Sequence, residues 1–284
     1  MKTLIQFFLR KLVSSDRVRN YLETQCKVGQ GMARSAPYQT IGVVPLQIGE
    51  RELRVFPFGD LTSWRYETLY TKEPETLEWI DELSEDTVLW DIGANIGLYS
   101  LYAAARKPGC TILAFEPEPS NYFVLYRNLD LNNLFSRVHS FPLAFSLKSE
   151  IGTFFLSDSQ PGAALHSLGS ENTHAPDPSS RNTSMLCMSV DDFIHRYNPP
   201  FPNAIKIDVD GVERDILEGA GNTLRDPRMR SVSIEIDESD DPSAQIVQLL
   251  EAAGFDLHAR RHSAMFDHGD FRYTYNCIFR KAER

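Results

Sequence analysis

Apolar and polar positions along the chain alternate between short apolar runs and longer amphipathic stretches. "TVLWDIG" is an apolar run without alternation, as expected of a strand covered on both faces, and "GLYSLYAAAR" continues it as a helix. "TILAFEP" and "PSNYFVLYRNLDLNN" repeat the pair, the helix stopping at Asn132 and Asn133. "RVHSFPLAFS" and "EIGTFFLSD" read as two further strands. "NAIKIDVDG" with "VERDILEGA", and "RSVSIEID" with "SAQIVQLLEAAG", are two more strand–helix units. The end, "DFRYTYNCIFR", sets Phe271, Tyr273, Tyr275, Cys277 and Phe279 on one face with period two, which predicts a terminal strand. Such alternation predicts an α/β fold: a mostly parallel sheet with right-handed crossovers, helices on both faces and an antiparallel edge strand from the last pair.

Upstream the pattern is weaker. Residues 1–60 read as a prefix, helical to about Glu23, then loose, then a hairpin of Val43–Ile48 and Glu52–Phe58 turning at "GER". The regular domain spans 61–284 and begins with "KEPETLEWIDEL", whose proline and glutamates are helix-start signals. The stretch 169–184, "GSENTHAPDPSSRNTS", holds no apolar run and reads as a long loop, a mobile lid or simple disorder.

The formal net charge of -10 disfavours a nucleic-acid partner, because phosphate binding rests on Lys and Arg. Cys26, Cys110, Cys187 and Cys277 are scattered with no C-x-x-C spacing, which points to reduced thiols and a cytoplasmic setting. The apolar stretch Leu4–Leu9 is too short for a membrane span or a signal-peptide core. With Lys2, Arg10, Lys11, Arg17 and Arg19 nearby, it reads as an amphipathic helix packed on the domain, with peripheral membrane contact as the alternative and no stable membrane insertion.

Chemistry concentrates at strand ends. Ligands of open parallel sheets sit beyond the carboxyl ends of the strands, and Asp91, Glu116 and Asp208 all fall there. Glu116 lies at the end of the strand after Asp91's, 25 residues on, where a carboxylate can accept both vicinal hydroxyls of a ribose. Gly93 and Gly97 would let backbone approach a ligand without a Cβ in the way. A dinucleotide fingerprint would need glycines where Asn95 and Leu98 stand, and a pyrophosphate would not welcome Asp91 just upstream. A ligand with an ammonium and a ribose suits these residues better.

Three segments, "WDIGANIGLYS", "AFEPEPSNY" and "IKIDVDGVERDILEG", together with the upstream "TKEPETLEWID", resemble the FkbM family of S-adenosylmethionine-dependent methyltransferases. The resemblance runs from about Glu67 to Phe279 and implies the Rossmann-like class I methyltransferase fold. It implies S-adenosylmethionine as cofactor, with Asp91, Gly93, Asn95 and Gly97 around its methionine part and Glu116, followed by Pro117, at its ribose. It further implies methylation of a hydroxyl on a small molecule, sugar, glycolipid or polyketide-like acceptor. Asp210 stands where the family usually has glutamate, which keeps the charge and shortens the reach.

For the transfer itself, "KIDVDGVE" offers Asp208 as base or acceptor positioner, Glu213 second, and Asp210 on the same strand face as Lys206 and Asp208. Asp210 and Glu213 could equally be helix N-terminal partners. The three acids could also hold Mg²⁺, although nothing else in the chain completes a ligand set. Glu73, with Lys72, could close over the methionine part or be a solvated helix start. His166 could reach the acceptor, and Phe145 could face the adenine or belong to the core. A nucleotide-cofactor dehydrogenase and an inactive scaffold are the competing functions, and a homo-oligomer is compatible with the sequence.

Overall fold

A computed structural model describes residues 42–157, 160–169, 181–239, 242–269 and 271–282. The helix expected before Glu23 and residues 170–180 of the expected loop lie outside the described residues. The described chain opens with a hairpin, β1 (Val44–Ile48) and β2 (Arg51–Val55), closed by Gly49 and Glu50. Three helices follow: α1 (Asp60–Glu67), α2 (Leu69–Lys72) and α3 (Pro74–Glu82), the last with proline at its first position. Then come β3 (Val88–Ile92), α4 (Leu98–Arg106), β4 (Thr111–Phe115), α5 (Pro119–Leu131) and β5 (Val138–Phe141).

Pro142 interrupts the next apolar run, so the single strand expected over "RVHSFPLAFS" becomes β5 and a separate β6 (Ala144–Phe145). β6 joins β7 (Glu150–Leu156), β8 (Ser167–Leu168) and β9 (Arg181–Met188) in a small sheet ordered β6-β9-β7-β8. Arg181 to Ser184, expected in the loop, are therefore strand: their backbone pairs with Thr153 to Leu156, a partner distant in sequence. The chain returns to the main sheet through α6 (Val190–Tyr197), β10 (Ala204–Ile207), α7 (Glu213–Glu218), α8 (Gly221–Arg225), β11 (Ser231–Asp237), α9 (Pro242–Ala252), β12 (Phe255–Arg261) and β13 (Thr274–Lys281).

The main sheet runs β5-β4-β3-β10-β11-β13-β12. Pairs across β5, β4, β3, β10 and β11 are parallel, and β13 is antiparallel to both β11 and β12. The antiparallel strand is thus one position in from the edge, a correction to the expected edge strand. β12 stands outermost and β13 turns back into the slot between it and β11. β13 itself begins at Thr274, so Phe271 and Tyr273 precede it.

One face of the sheet packs an aromatic cluster: Phe115 meets Phe145 at 4.7 Å, Trp90 at 5.1 Å and Phe193 at 5.5 Å between ring centroids. Burying such rings is worth roughly 3 kcal/mol each. α6 supplies Phe193 and starts at Ser189, whose hydroxyl accepts from the Asp192 N–H.

A buried amide organises the other side. Asn128 on α5 accepts the Phe56 N–H at 2.9 Å and donates to the Tyr66 hydroxyl and to the Ile96 carbonyl. It ties the exit of the hairpin, α1 and the turn after β3 together. Arg54 N–H also donates to Asn132 Oδ1 at 2.8 Å. The hairpin thus packs with the sheet inside a compact unit, Val43–Arg284. No helix among the described residues is long and apolar enough to cross a membrane.

Candidate active site

Strand order reverses between β3 and β10, so their carboxyl ends flank an open crevice. A cavity of about 330 Å³ lies there, within the range of small-ligand sites. Its walls come from the ends of β3, β4, β10 and β11, from α1 and α2, and from the segments 162–168 and 262–276.

The turn after β3 is shaped by internal packing. Gly93 and Gly97 have φ of 79° and 82°, in the left-handed region that favours glycine. A Cβ on Gly93 would stand 1.9 Å from the Asp208 carbonyl oxygen, and one on Gly97 2.4 Å from Leu125 Cδ1. The Gly93 N–H donates to the Phe115 carbonyl. The space expected for a ligand beside these glycines is thus filled by protein, although Gly93 still edges the cavity. Asn95 also adopts a left-handed conformation, with φ of 50°, and lines the cavity.

Glu116, at the end of β4, is 5% exposed and faces the cavity with Pro117 beside it. Its Oε2 accepts the Asn95 N–H at 2.7 Å and its Oε1 the Glu118 N–H at 2.9 Å. Burial pushes the carboxyl up to about 7, against the pull of these two donors. Each oxygen keeps one lone pair, so the side chain can still accept two hydroxyls.

Beneath the turn lies a buried ionic cluster. Asp91, 1% exposed, accepts from Ser100 Oγ at 2.6 Å, and its Oδ1 has no hydrogen-bond partner among the described residues. It stands opposite Lys206 in the β3–β10 register. Lys206 Nζ donates to Asp208 Oδ2 at 2.8 Å and lies 4.9 Å from the Tyr99 ring centroid. Burial alone would lower the Lys206 ammonium, but Asp208, Asp91 and Glu73 together raise it. Burial also opposes ionisation of Asp208, yet Lys206 and Lys72 hold it below the usual carboxylate range. Glu73 is 1% exposed and paired with Lys72, so the solvated helix start considered for it is excluded.

A strap, residues 162–166, crosses the cavity. Asn95 and Asn121 side chains donate to the Ala163 carbonyl, Asn121 also accepts the Gly162 N–H, and Arg65 Nε donates to the Gly162 carbonyl at 2.5 Å. Asp210 Oδ2 accepts the Leu165 N–H at 2.5 Å. Burial and the charge of Asp208 push the Asp210 carboxyl up to about 6.

The family profile described as "Methyltransferase FkbM domain" matches residues 91–257. The chain belongs to that family. It is a methyltransferase, which removes the dehydrogenase alternative. Against hexuronic acid methyltransferase AglP of Haloferax volcanii it is 28% identical over 191 residues, covering 67% of this chain and 72% of AglP. Against 31-O-demethyl-FK506 methyltransferase FkbM of Streptomyces tacrolimicus it is 29% identical over 202 residues, covering 63% and 76%. A crystal structure of methyltransferase FkbM from Methylobacillus flagellatus overlays with a TM-score of 0.49 at 16% identity, covering 95% of this chain and 60% of that one.

Within this FkbM methyltransferase the cavity gathers Gly93, Asn95, Glu116, Pro117, Asp208 and Asp210. It leaves out four of the expected residues. Asp91 faces away from the wall because period two places Trp90 and Ile92 in the aromatic core and turns the carboxylate under α4. Gly97 packs on Leu125, and Glu73 sits behind Lys72, which does line the cavity. Glu213 folds back on the Gly211 N–H at 3.1 Å, a cap-like contact outside the wall. Burial pushes the Glu213 carboxyl up to about 8. His166 lines the cavity and its Nδ1 accepts the Ser157 N–H. Phe145 both lines it and stacks on Trp90 in the core. Sequence reasoning missed Arg65, Asn121, Glu235 and Asn276. The acid inside "SIEID" was the one available signal, since a carboxylate within an otherwise apolar strand calls for a polar neighbour.

Proposed function

We propose that this methyltransferase uses S-adenosylmethionine to methylate a hydroxyl of a small-molecule or carbohydrate acceptor. The observation that carries the reading is one cavity with Glu116 on one wall and Asp208 and Asp210 on another. Glu116 would accept the two ribose hydroxyls, while Asn95 and Lys72 would meet the methionine part. Asp91 would act from beneath by fixing Lys206. Leu143 and Phe145 offer an apolar wall for the adenine. S-adenosylmethionine, when bound, supplies an already activated methyl group.

The remaining task is to align an acceptor oxygen with that methyl and to take its proton, and alignment supplies much of the rate. Asp208 would orient the acceptor. An alcohol is the acceptor of choice because it needs a neighbouring base, and acids line the cavity. The relatives named for hexuronic acid and for demethyl-FK506 support a hydroxyl-bearing acceptor.

Calorimetry of S-adenosylhomocysteine with wild type and Glu116→Ala tests the donor site. Micromolar wild-type binding that weakens at least about tenfold in the variant supports it, since charged hydrogen bonds contribute roughly 1.5–3 kcal/mol. Absence of wild-type binding overturns it. Radiolabelled methyl transfer to a panel of hexoses, hexuronic acids and macrolide alcohols then separates acceptor classes.

A further inference from the structure

Glu235 lies within β11, two residues before its end, and takes no part in the roles given to Glu116 and Asp208. The β10–β11 register pairs Ile207 with Ile234, so Asp208 and Glu235 are the next residues on neighbouring parallel strands, at one level and on one face. On its other side Glu235 is paired in register with Asn276 of β13. All three line the cavity. Asp208 is held by Lys206 Nζ at 2.8 Å. Among the described residues no hydrogen bond or close ion pair holds the Glu235 carboxylate.

We propose that Glu235 is a further catalytic residue, the group that receives the acceptor hydroxyl's proton during methyl transfer, with Asp208 as its fixed, ionised neighbour. The inference rests on the reading of S-adenosylmethionine as donor. An ion-paired carboxylate such as Asp208 is a weak base, because taking a proton would forfeit its attraction to Lys206. Glu235 has no such tether and meets the same space. The charged groups that act on it are Asp208 and Asp210 after β10 and Lys72 and Glu73 at the end of α2, with Arg65 from α1 and His262 after β12 on the same cavity lining. Burial and the charge of Asp208, opposed by Lys72, raise its carboxyl well above the usual range, which favours the protonated form of Glu235 in the free enzyme.

A sulfonium entering the cavity adds positive charge beside this pair and expels that proton, which arms the base. In the transfer an acceptor lone pair forms the O–CH₃ bond. The C–S bond breaks with its electron pair staying on sulfur, and the hydroxyl proton passes to the Glu235 carboxylate. The products are a methyl ether, a thioether and one proton, which stays on Glu235 as the cavity empties and replaces the one expelled on binding, so each turnover releases one proton.

The test is calorimetry of S-adenosylmethionine and S-adenosylhomocysteine at neutral pH in two buffers of different ionisation heat, on the full chain, with wild type, Glu235→Gln and Glu235→Ala. The sulfonium should release about one proton more than the neutral thioether from wild type, and no excess from either variant. Comparing the two ligands cancels any proton lost from Glu116, which both would displace. Both variants should bind S-adenosylhomocysteine within threefold of wild type, while transfer to a hydroxyl acceptor falls about 100-fold or more. An undiminished excess in Glu235→Gln overturns the proposal. So does loss of thioether binding in both variants, which would make Glu235 structural. Absence of any wild-type binding overturns the donor reading and this proposal with it, whereas the first two outcomes leave the donor reading standing.

Discussion

The carbonyl oxygen of Asp208 lies 1.9 Å from where a Cβ on Gly93 would stand, so the turns that follow β3 and β10 meet backbone to backbone. Backbone cannot yield as a side-chain end can. Gly93→Ala should therefore cost on the order of 3 kcal/mol, combining the clash with a φ of 79°. Gly97→Ala meets only Leu125 Cδ1, the end of a flexible side chain, and should cost less, about 1–2 kcal/mol. Urea unfolding of both variants checks the order. Equal losses would show that the Asp208 contact is not what demands glycine.

Glu116 should make donor binding pH-dependent. Its folded carboxyl is raised from 4.5 to about 7, so the folded protein holds the proton between those values and ionised Glu116 disfavours folding above them. A ribose needs the ionised form as acceptor. Affinity for S-adenosylhomocysteine should rise as pH increases through about 7 and level off above it. In Glu116→Gln the rise should disappear, as calorimetry from acid to alkaline pH would record.

Lys206 is 3% exposed and is the cation between Asp91 and Asp208. Lys206→Met removes it and leaves the buried Asp91 carboxyl and the half-buried Asp208 carboxyl without their shared cation, at a cost of about 3–5 kcal/mol. Asp208 contributes stability above its ordinary value near 3.8, which is lost as pH falls through its lower folded value. The variant should lose less stability than wild type on acidification, because its carboxyls are already disfavoured as anions. Denaturation midpoints at acid and neutral pH measure this. A variant as stable as wild type at neutral pH would sink the ionic account.

The strap across the cavity hangs partly on Asp210. Removing its carboxylate leaves the Leu165 N–H without an acceptor, at a residue whose φ is 63°. In Asp210→Ala the Leu165 amide should exchange roughly 10–100-fold faster, the loss of one charged hydrogen bond. Exchange at Ile207, inside the sheet, should stay unchanged. Uniform acceleration of both amides would mean a global loss of stability instead.

Much of this protein was legible in local sequence. The apolar runs at Val88–Ile92, Thr111–Phe115 and Ala204–Ile207 announce strands buried on both faces, and proline or asparagine marks the ends of α3 and α5. Acids at strand ends are equally local, since a chain direction and a sheet type place them on one rim. That is why Glu116, Asp208 and Asp210 could be named from sequence, and why the family resemblance attached to those same segments.

The tertiary structure decided whatever depends on two distant segments meeting. Period two tells that Asp91 and Trp90 face opposite ways, but only the packing of α4 tells that the Asp91 side is closed to the cavity. A glycine in "DIGANIG" reads the same whether its missing Cβ admits a ligand or, as here, the Asp208 carbonyl. Asn128 and Asn121 are ordinary polar positions of α5 until the hairpin and the strap arrive to use their amides. Glu235 gains its meaning from the β10–β11 register, which sets it level with Asp208. Hydrophobic periodicity encodes burial of each segment by itself. The chemistry of the cavity arises from register and close approach between segments, and those are properties of the folded chain.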